Sequence, residues 1–185
     1  MGNLVPQAGS TPAKTGDESR QYLTFTLGGE IFALGILNIK EIIEYGSLTE
    51  IPMMPGFIRG VINLRGAVVP VIDLVARFGG TPAAIGRRTC IVIVEMVQMS
   101  EGSETRQDIG VVVDSVSEVL EIPATDIEPP PAFGAKIRAD FILGMGKVAG
   151  KFVIILNVDR VLSLEEMTFL ADLGGSAPTA EPSAA

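Results

Sequence analysis

Apolar and polar residues alternate through Tyr22-Leu23-Thr24-Phe25-Thr26-Leu27 and Glu30-Ile31-Phe32-Ala33-Leu34, on either side of Gly28-Gly29. The pattern predicts a β-hairpin, because two glycines supply the positive φ angles of a tight turn. A second hairpin is predicted where 61–64 pairs with 68–72 across Arg65-Gly66, and a third where 145–148 pairs with 152–156 across Ala149-Gly150. Pro70 cannot donate to a ladder, so its strand should present that position at an edge or bulge. Runs at 89–97 and 109–113 also read as strands, with the polar segment 99–108 between them as an exposed hairpin loop. Ile36, Leu37, Ile39, Ile42 and Ile43 recur near helical spacing, which fits either a short amphipathic helix or a turn leading into a strand. Ser163-Leu164-Glu165-Glu166 forms a capping box ahead of Met167, Phe169, Leu170 and Leu173, predicting a helix over 163–173. Short strands at regular spacing with glycine turns point to small barrels.

The chain also contains one unit twice. Phe57-Ile58-Arg59-Gly60 aligns with Phe141-Ile142-Leu143-Gly144, and the offset of 84 holds without a gap through Gly66/Gly150, Val69/Val153, Val71/Ile155 and Asp73/Asn157. Upstream, 38–44 aligns with 115–121 at an offset of 77, so one loop insertion separates the two alignments. A solenoid needs three or more units, whereas a duplicated unit buries its apolar face against its own copy. Two pseudo-symmetric lobes are therefore expected, over about 21–86 and 87–160, followed by the helix. The segments 1–20 and 174–185 are rich in Gly, Pro, Ser, Thr and Ala and are expected to be flexible tails.

Composition narrows the picture further. Without its polar ends the chain keeps about 150 residues, enough to bury roughly 68% of its unfolded surface. With 47% hydrophobic residues but only 5% aromatic, the core is expected to consist of Val, Ile, Leu and Met. A net charge of −8 with no cluster of Lys and Arg argues against nucleic acid as a partner. Cys90 lies in the apolar run 90–94 and is expected to be a small buried core residue. The start of the chain has no secretory pattern, and no apolar run approaches the roughly 20 residues of a membrane helix, so a cytosolic protein without direct membrane insertion is expected.

Candidate chemistry is scarce. The chain has no histidine, which removes Ser-His and Cys-His pairs, histidine metal ligands and the usual general base. Asp73, Asp114, Glu118 and Asp159 could pair as carboxylates, yet carboxylates near strand ends are more often surface or turn residues, and the sequence gives no reason to choose them. Gly144-Met145-Gly146-Lys147 lacks the spacing of a phosphate loop and reads as a barrel corner. No cofactor or metal is indicated. The apolar residues Ile36, Ile39, Met53 and Met54, near Glu41 and Arg65, suit either a protein-binding surface or ordinary core with methionine gap-fillers.

The segment 57–66, Phe-Ile-Arg-Gly-Val-Ile-Asn-Leu-Arg-Gly, followed by Val69-Pro70-Val71-Ile72-Asp73-Leu74, resembles the CheW family of bacterial chemotaxis coupling proteins. Residues 22–27, Ile39-Lys40-Glu41-Ile42, 109–116 and 154–159 join it in the same order, so the resemblance spans 21–173. It implies two five-stranded SH3-like β-barrels around a shared apolar core, with no catalytic activity. It implies two partners, the regulatory domain of the histidine kinase CheA and the cytoplasmic tips of methyl-accepting chemoreceptors, and hence a place at membrane receptor arrays through those partners. The receptor groove implied by the motif comprises Ile36, Ile39, Glu41, Met54, Gly60, Arg65, Gly110 and Val116, with Glu41 and Arg65 as an ion pair. The kinase would bind barrel ends, to which the motif assigns no residues. The alternatives are the same adaptor role in a non-flagellar chemosensory pathway and a small carboxylate-based enzyme. Similar modules also occur in CheA kinases and CheV proteins, but the sequence carries neither a kinase ATP-binding region nor a receiver domain. The longer segment 99–108 departs from compact family members.

Overall fold

The computed structural model describes residues 20–82, 84–130 and 137–163. Among these residues eleven strands form two sheets, β1 (Arg20–Leu27), β2 (Glu30–Gly35), β3 (Ile39–Glu44), β4 (Ile58–Leu64), β5 (Ala67–Asp73), β6 (Cys90–Ser100), β7 (Ser103–Val113), β8 (Ser115–Ile122), β9 (Ile127–Glu128), β10 (Ile142–Val148) and β11 (Lys151–Leu156). A single helical turn follows each repeated hairpin, α1 (Leu74–Arg77) after β5 and α2 (Val158–Val161) after β11. The first sheet has the order β3-β6-β7-β5-β4 and the second β8-β1-β2-β11-β10-β9, where β9 contributes only two residues. The fold is thus mainly β and is consistent with a pair of SH3-like barrels.

Four hairpins turn on residue pairs in which both φ angles are positive: Gly28-Gly29, Arg65-Gly66, Glu101-Gly102 and Ala149-Gly150. Such turns match the right-handed twist of the strands they join, and glycine at the second position bears the positive φ without a Cβ penalty.

The repeat is visible in the pairing itself. β4 and β5 pair Ile58 with Ile72, slip by one residue and resume at Gly60 with Val71; β10 and β11 do the same at Ile142/Leu156 and Gly144/Ile155. The Asp73 N–H donates to Phe57 O at 2.7 Å, and the Asn157 N–H to Phe141 O at 2.7 Å. Phe57 and Phe141, like Gly66 and Gly150, hold equivalent places.

The sheets do not divide the chain at 86/87, however. The opening hairpin β1–β2 pairs with β8 and β11, whereas β6–β7 pairs with β3 and β5. Each repeat therefore places its first hairpin in the barrel of the other, and the expected lobes over 21–86 and 87–160 are corrected to two exchanged sets of strands. The helical alternative for 36–43 is also resolved, as a 3-10 turn Ile36–Asn38 followed by β3. The expected loop 99–108 is strand instead. β6 and β7 continue as an antiparallel ribbon from Glu95↔Asp108 to Ser100↔Ser103, which polar side chains tolerate because the ribbon projects past β3 and β5. Pro70 falls where only β4 pairs with β5, since β7 joins from Val71 onward. Of the expected tails and C-terminal helix, only Arg20, which opens β1, and Ser163 lie among the described residues.

Three apolar clusters hold the fold. Val69, Val71, Ile91, Ile93 and Val112 fill barrel one; Tyr22, Ala33, Ile122, Val153 and Ile155 fill barrel two. Between the sheets lies a larger shared core that includes Phe25, Phe32, Phe57, Phe141, Val94 and Leu162. Its centre is more aromatic than composition suggests. Phe25, Phe32, Phe78 and Phe141 follow one another at ring separations of 6.3, 5.9 and 6.0 Å, and the Arg77 guanidinium lies 5.2 Å from the Phe57 ring and 4.8 Å from that of Phe141. A few large rings fill the seam efficiently, so a low aromatic fraction concentrates at one place. Cys90 is only half-buried at the edge of this core, its thiol donating to Arg88 O at 3.3 Å, which corrects the expectation of full burial.

Candidate protein-binding site

Glu41 and Arg65 come from different hairpins and meet at the mouth of barrel one. A one-residue slip in the β3–β6 pairing between Ile39 and Glu41 makes Lys40 the extra residue. Lys40 consequently reaches Asp108 at 3.0 Å and Glu95 at 3.4 Å, and hydrogen bonding to Asp108 raises its pKa above the ordinary value. Glu41 turns over the barrel opening, where the Arg65 Nη2 donates to Oε2 at 2.8 Å. Its other oxygen, Oε1, is buried without a hydrogen-bond partner among the described residues. Lys40, Glu41, Leu64, Arg65, Ile93 and Asp108 together line a hollow of about 180 Å³. The Arg65 side chain is 79% exposed, so the pair itself contributes about 0–1 kcal/mol to stability and is free to respond to a partner.

A larger cleft, about 770 Å³, opens at the mouth of barrel two. Ile36 and Leu37 of the 3-10 turn, Tyr22 of β1, Leu143 of β10 and Leu156 of β11 supply its apolar lining, and Gln21, Asn38, Glu121, Asn157 and Asp159 its polar rim. Leu37 is 97% exposed and Leu143 53%. A three-residue turn cannot bury two adjacent large side chains: Ile36 packs partly on the shared core, and Leu37 is left in water.

The remaining candidates divide by burial. Ile39 and Val116, equivalent positions in the repeat, are half-buried against the shared core. Val116 also lines a hollow of about 490 Å³ with Arg88, Cys90, Ser115 and Ser117. Met54 is exposed in the loop before β4, beside the more exposed Met53. Gly60 and Gly110 are buried inside barrel one and offer no surface. A Cβ on Gly110 would lie 2.8 Å from Ile91 Cγ2, and one on Gly60 would strike the Thr49 carbonyl. The structure thus joins Glu41 to Arg65, sets Ile36, Ile39 and Val116 along the seam between barrels, and makes the two glycines packing positions. Leu37 and Leu143 escaped sequence reasoning. The available signals were the adjacent pair Ile36-Leu37 and the departure of Leu143 from its repeat partner Arg59.

No three His, Cys, Asp or Glu side chains gather as metal ligands among the described residues, and no helix there is long and apolar enough to cross a membrane. The arrangement offers grooves and an ion pair rather than a reacting centre.

Known proteins agree with this picture. The family model for the CheW-like domain matches residues 21–166. The chain is 33% identical over 157 residues to the chemotaxis protein CheW of Klebsiella aerogenes, covering 85% of this chain and 90% of that one. It is 32% identical over 145 residues to protein FrzA of Myxococcus xanthus, covering 77% and 85%. The crystal structure of the scaffolding protein TtCheW from Thermoanaerobacter tengcongensis superposes with a TM-score of 0.68 at 34% identity, covering 82% of this chain and 93% of that one. Fold, internal repeat and these matches converge: the chain belongs to the CheW family of non-catalytic chemotaxis adaptors.

Proposed function

We propose that this chain couples methyl-accepting chemoreceptors to the histidine kinase CheA, seating an apolar receptor helix tip in the cleft that runs from the seam at Ile36 onto the mouth of barrel two. The observation that carries this reading is the 770 Å³ cleft in which Leu37 stands almost fully in water. Exposing a leucine costs about as much as burying it would gain, 1.5–3 kcal/mol, so such a residue beside a concave apolar lining suits a partner's helix. Ile39 and Val116 extend the seam, and the Glu41–Arg65 pair stands at the adjoining barrel mouth. The kinase regulatory domain would engage the barrel ends.

Leu37→Asp tests the cleft directly, because the side chain contributes nothing to the core. Titration of a purified receptor signalling fragment is expected to show an affinity about ten- to a hundredfold weaker, with CheA binding and thermal transition unchanged. Wild-type receptor affinity in this variant would remove the cleft from the proposal. Ile39→Asp is the less selective change, since Ile39 also packs on the shared core and its loss lowers stability as well.

The ion pair gives a second expected result. Arg65→Glu sets two carboxylates together and should weaken receptor coupling while the fold persists, since Arg65 is largely exposed. Adding Glu41→Arg should recover part of the loss, read as receptor-controlled kinase activity in reconstituted assemblies. If the single charge reversal couples normally, the pair has no part in receptor contact.

A further inference from the structure

The repeat contains its own template for what enters the barrel-two cleft. Arg59 and Leu143 are each the extra residue of a β-bulge, lying between the equivalent pairs Ile58/Ile72 and Gly60/Val71 in barrel one and Ile142/Leu156 and Gly144/Ile155 in barrel two. A bulge re-aims the side chain it carries. In barrel one the guanidinium of Arg59 donates through Nε at 3.0 Å and Nη2 at 2.8 Å to Asp73 Oδ2, while Asp73 Oδ1 accepts from the Ala76 N–H at 3.1 Å. Through Asp73 that arginine links the bulge to the helical turn.

Barrel two keeps the geometry and changes the residues. Leu143 stands for Arg59, and Asn157 stands for Asp73 without a side-chain hydrogen bond to α2. A carboxylate returns two residues later, where Asp159 replaces Val75. Gln21 pairs with Glu121 as Cys90 pairs with Glu44, the equivalent of Glu121, so Gln21 and Asn38, which line the 770 Å³ cleft, correspond in the repeat to Cys90 and Ser115, which line the 490 Å³ hollow. Leu143 and Asn157 line the cleft, whereas Arg59 and Asp73, their barrel-one equivalents, bond to each other and do not line the hollow. The cleft lining carries two carboxylates, Glu121 and Asp159, against one guanidinium, Arg20, a balance that favours a cationic occupant.

We propose that the barrel-two cleft receives an arginine side chain from a partner helix, which takes the place that Arg59 holds in barrel one. Its aliphatic stem would lie along Leu143 and its guanidinium would meet the Asn157 carboxamide oxygen and the Asp159 carboxylate. The inference rests on reading this cleft as the receptor groove, and adds the chemistry of the residue that anchors there.

Backbone amide NMR with N-acetyl-argininamide, and with the neutral isostere N-acetyl-citrullinamide as comparison, tests the site apart from any receptor. The arginine compound is expected to shift the amides of Leu143, Asn157 and Asp159 with millimolar affinity, and the citrulline compound to bind at least about tenfold more weakly. Leu143→Arg with Asn157→Asp installs the barrel-one pair and should abolish those shifts while weakening the receptor fragment by at least about tenfold. Asp159→Asn, an exposed change that leaves the fold alone, should weaken the arginine compound severalfold. Equal binding of the two compounds, no shifts from either, or unchanged shifts in Asp159→Asn would overturn the proposal. If the arginine compound fails while Leu37→Asp still weakens receptor binding, only the arginine inference falls. If it binds while receptor affinity ignores Leu37→Asp, the arginine site stands and the receptor reading falls.

Discussion

Gly60→Ala is expected to destabilise the protein by about 2–4 kcal/mol, the largest loss from adding a single methyl group among the positions considered. Two independent terms combine. The backbone at Gly60 has φ near +149°, a region that L side chains rarely adopt. The new Cβ would also strike the Thr49 carbonyl, whose carbon lies 3.0 Å from the Cβ position. Thr49 cannot swing aside, because its N–H donates to Val61 O at 2.9 Å and its carbonyl accepts from the Val61 N–H at 2.8 Å. Gly66→Ala supplies the control, having φ near +85° but open space around its Cβ, and should cost about 1 kcal/mol. Urea unfolding of both variants decides the matter. A Gly60→Ala protein no weaker than Gly66→Ala would mean that the Thr49 bridge yields, and that Gly60 is not the packing position described above.

Asp73→Ala is expected to cost about 3 kcal/mol, and the equivalent change Asn157→Ala less than about 1 kcal/mol. Asp73 is buried and serves Arg59 and the Ala76 N–H together, so its removal takes two charge-assisted hydrogen bonds from a partly buried guanidinium and uncaps α1. Arg59 keeps a quarter of its side-chain exposure, which holds the estimate at the low end for a broken buried pair. Asn157 caps nothing through its side chain. Comparable losses from the two substitutions would show that the repeats are energetically alike here, and would remove the asymmetry from which the open cleft follows.

What could be read in the sequence was what local chemistry and self-similarity encode. The glycine turns at 28–29, 66 and 150 and the offset of 84 give hairpins and duplication directly, because φ requirements and alternation are local. The hairpin exchange was hidden: β2 joins β11 and β5 joins β7 by parallel pairing over two and three residue pairs, and no local pattern names a partner strand. The segment 99–108 reads as loop in the sequence because both faces of the ribbon there carry polar residues, so alternation is lost where no core lies beneath. At the candidate site, the Glu41–Arg65 pair was reached only through family resemblance. Leu37 and Leu143 were missed because an exposed leucine and a buried one look the same in a sequence, and only the surrounding burial separates them.

The exchange of hairpins sets an order of events during synthesis. Phe32 leaves the ribosome about 120 residues ahead of Ile154, its neighbour across the β2–β11 ladder. At 5–20 residues per second, β1–β2 waits roughly 6 to 24 s for the strand that completes its barrel. For most of that interval both edges of β1–β2, which await β8 and β11, and the faces of Phe25 and Phe32 lack their final cover, whereas β3, β4 and β5 need wait only for β6 and β7. Barrel one can close first, and the nascent chain's exposure to mispairing falls on its opening hairpin.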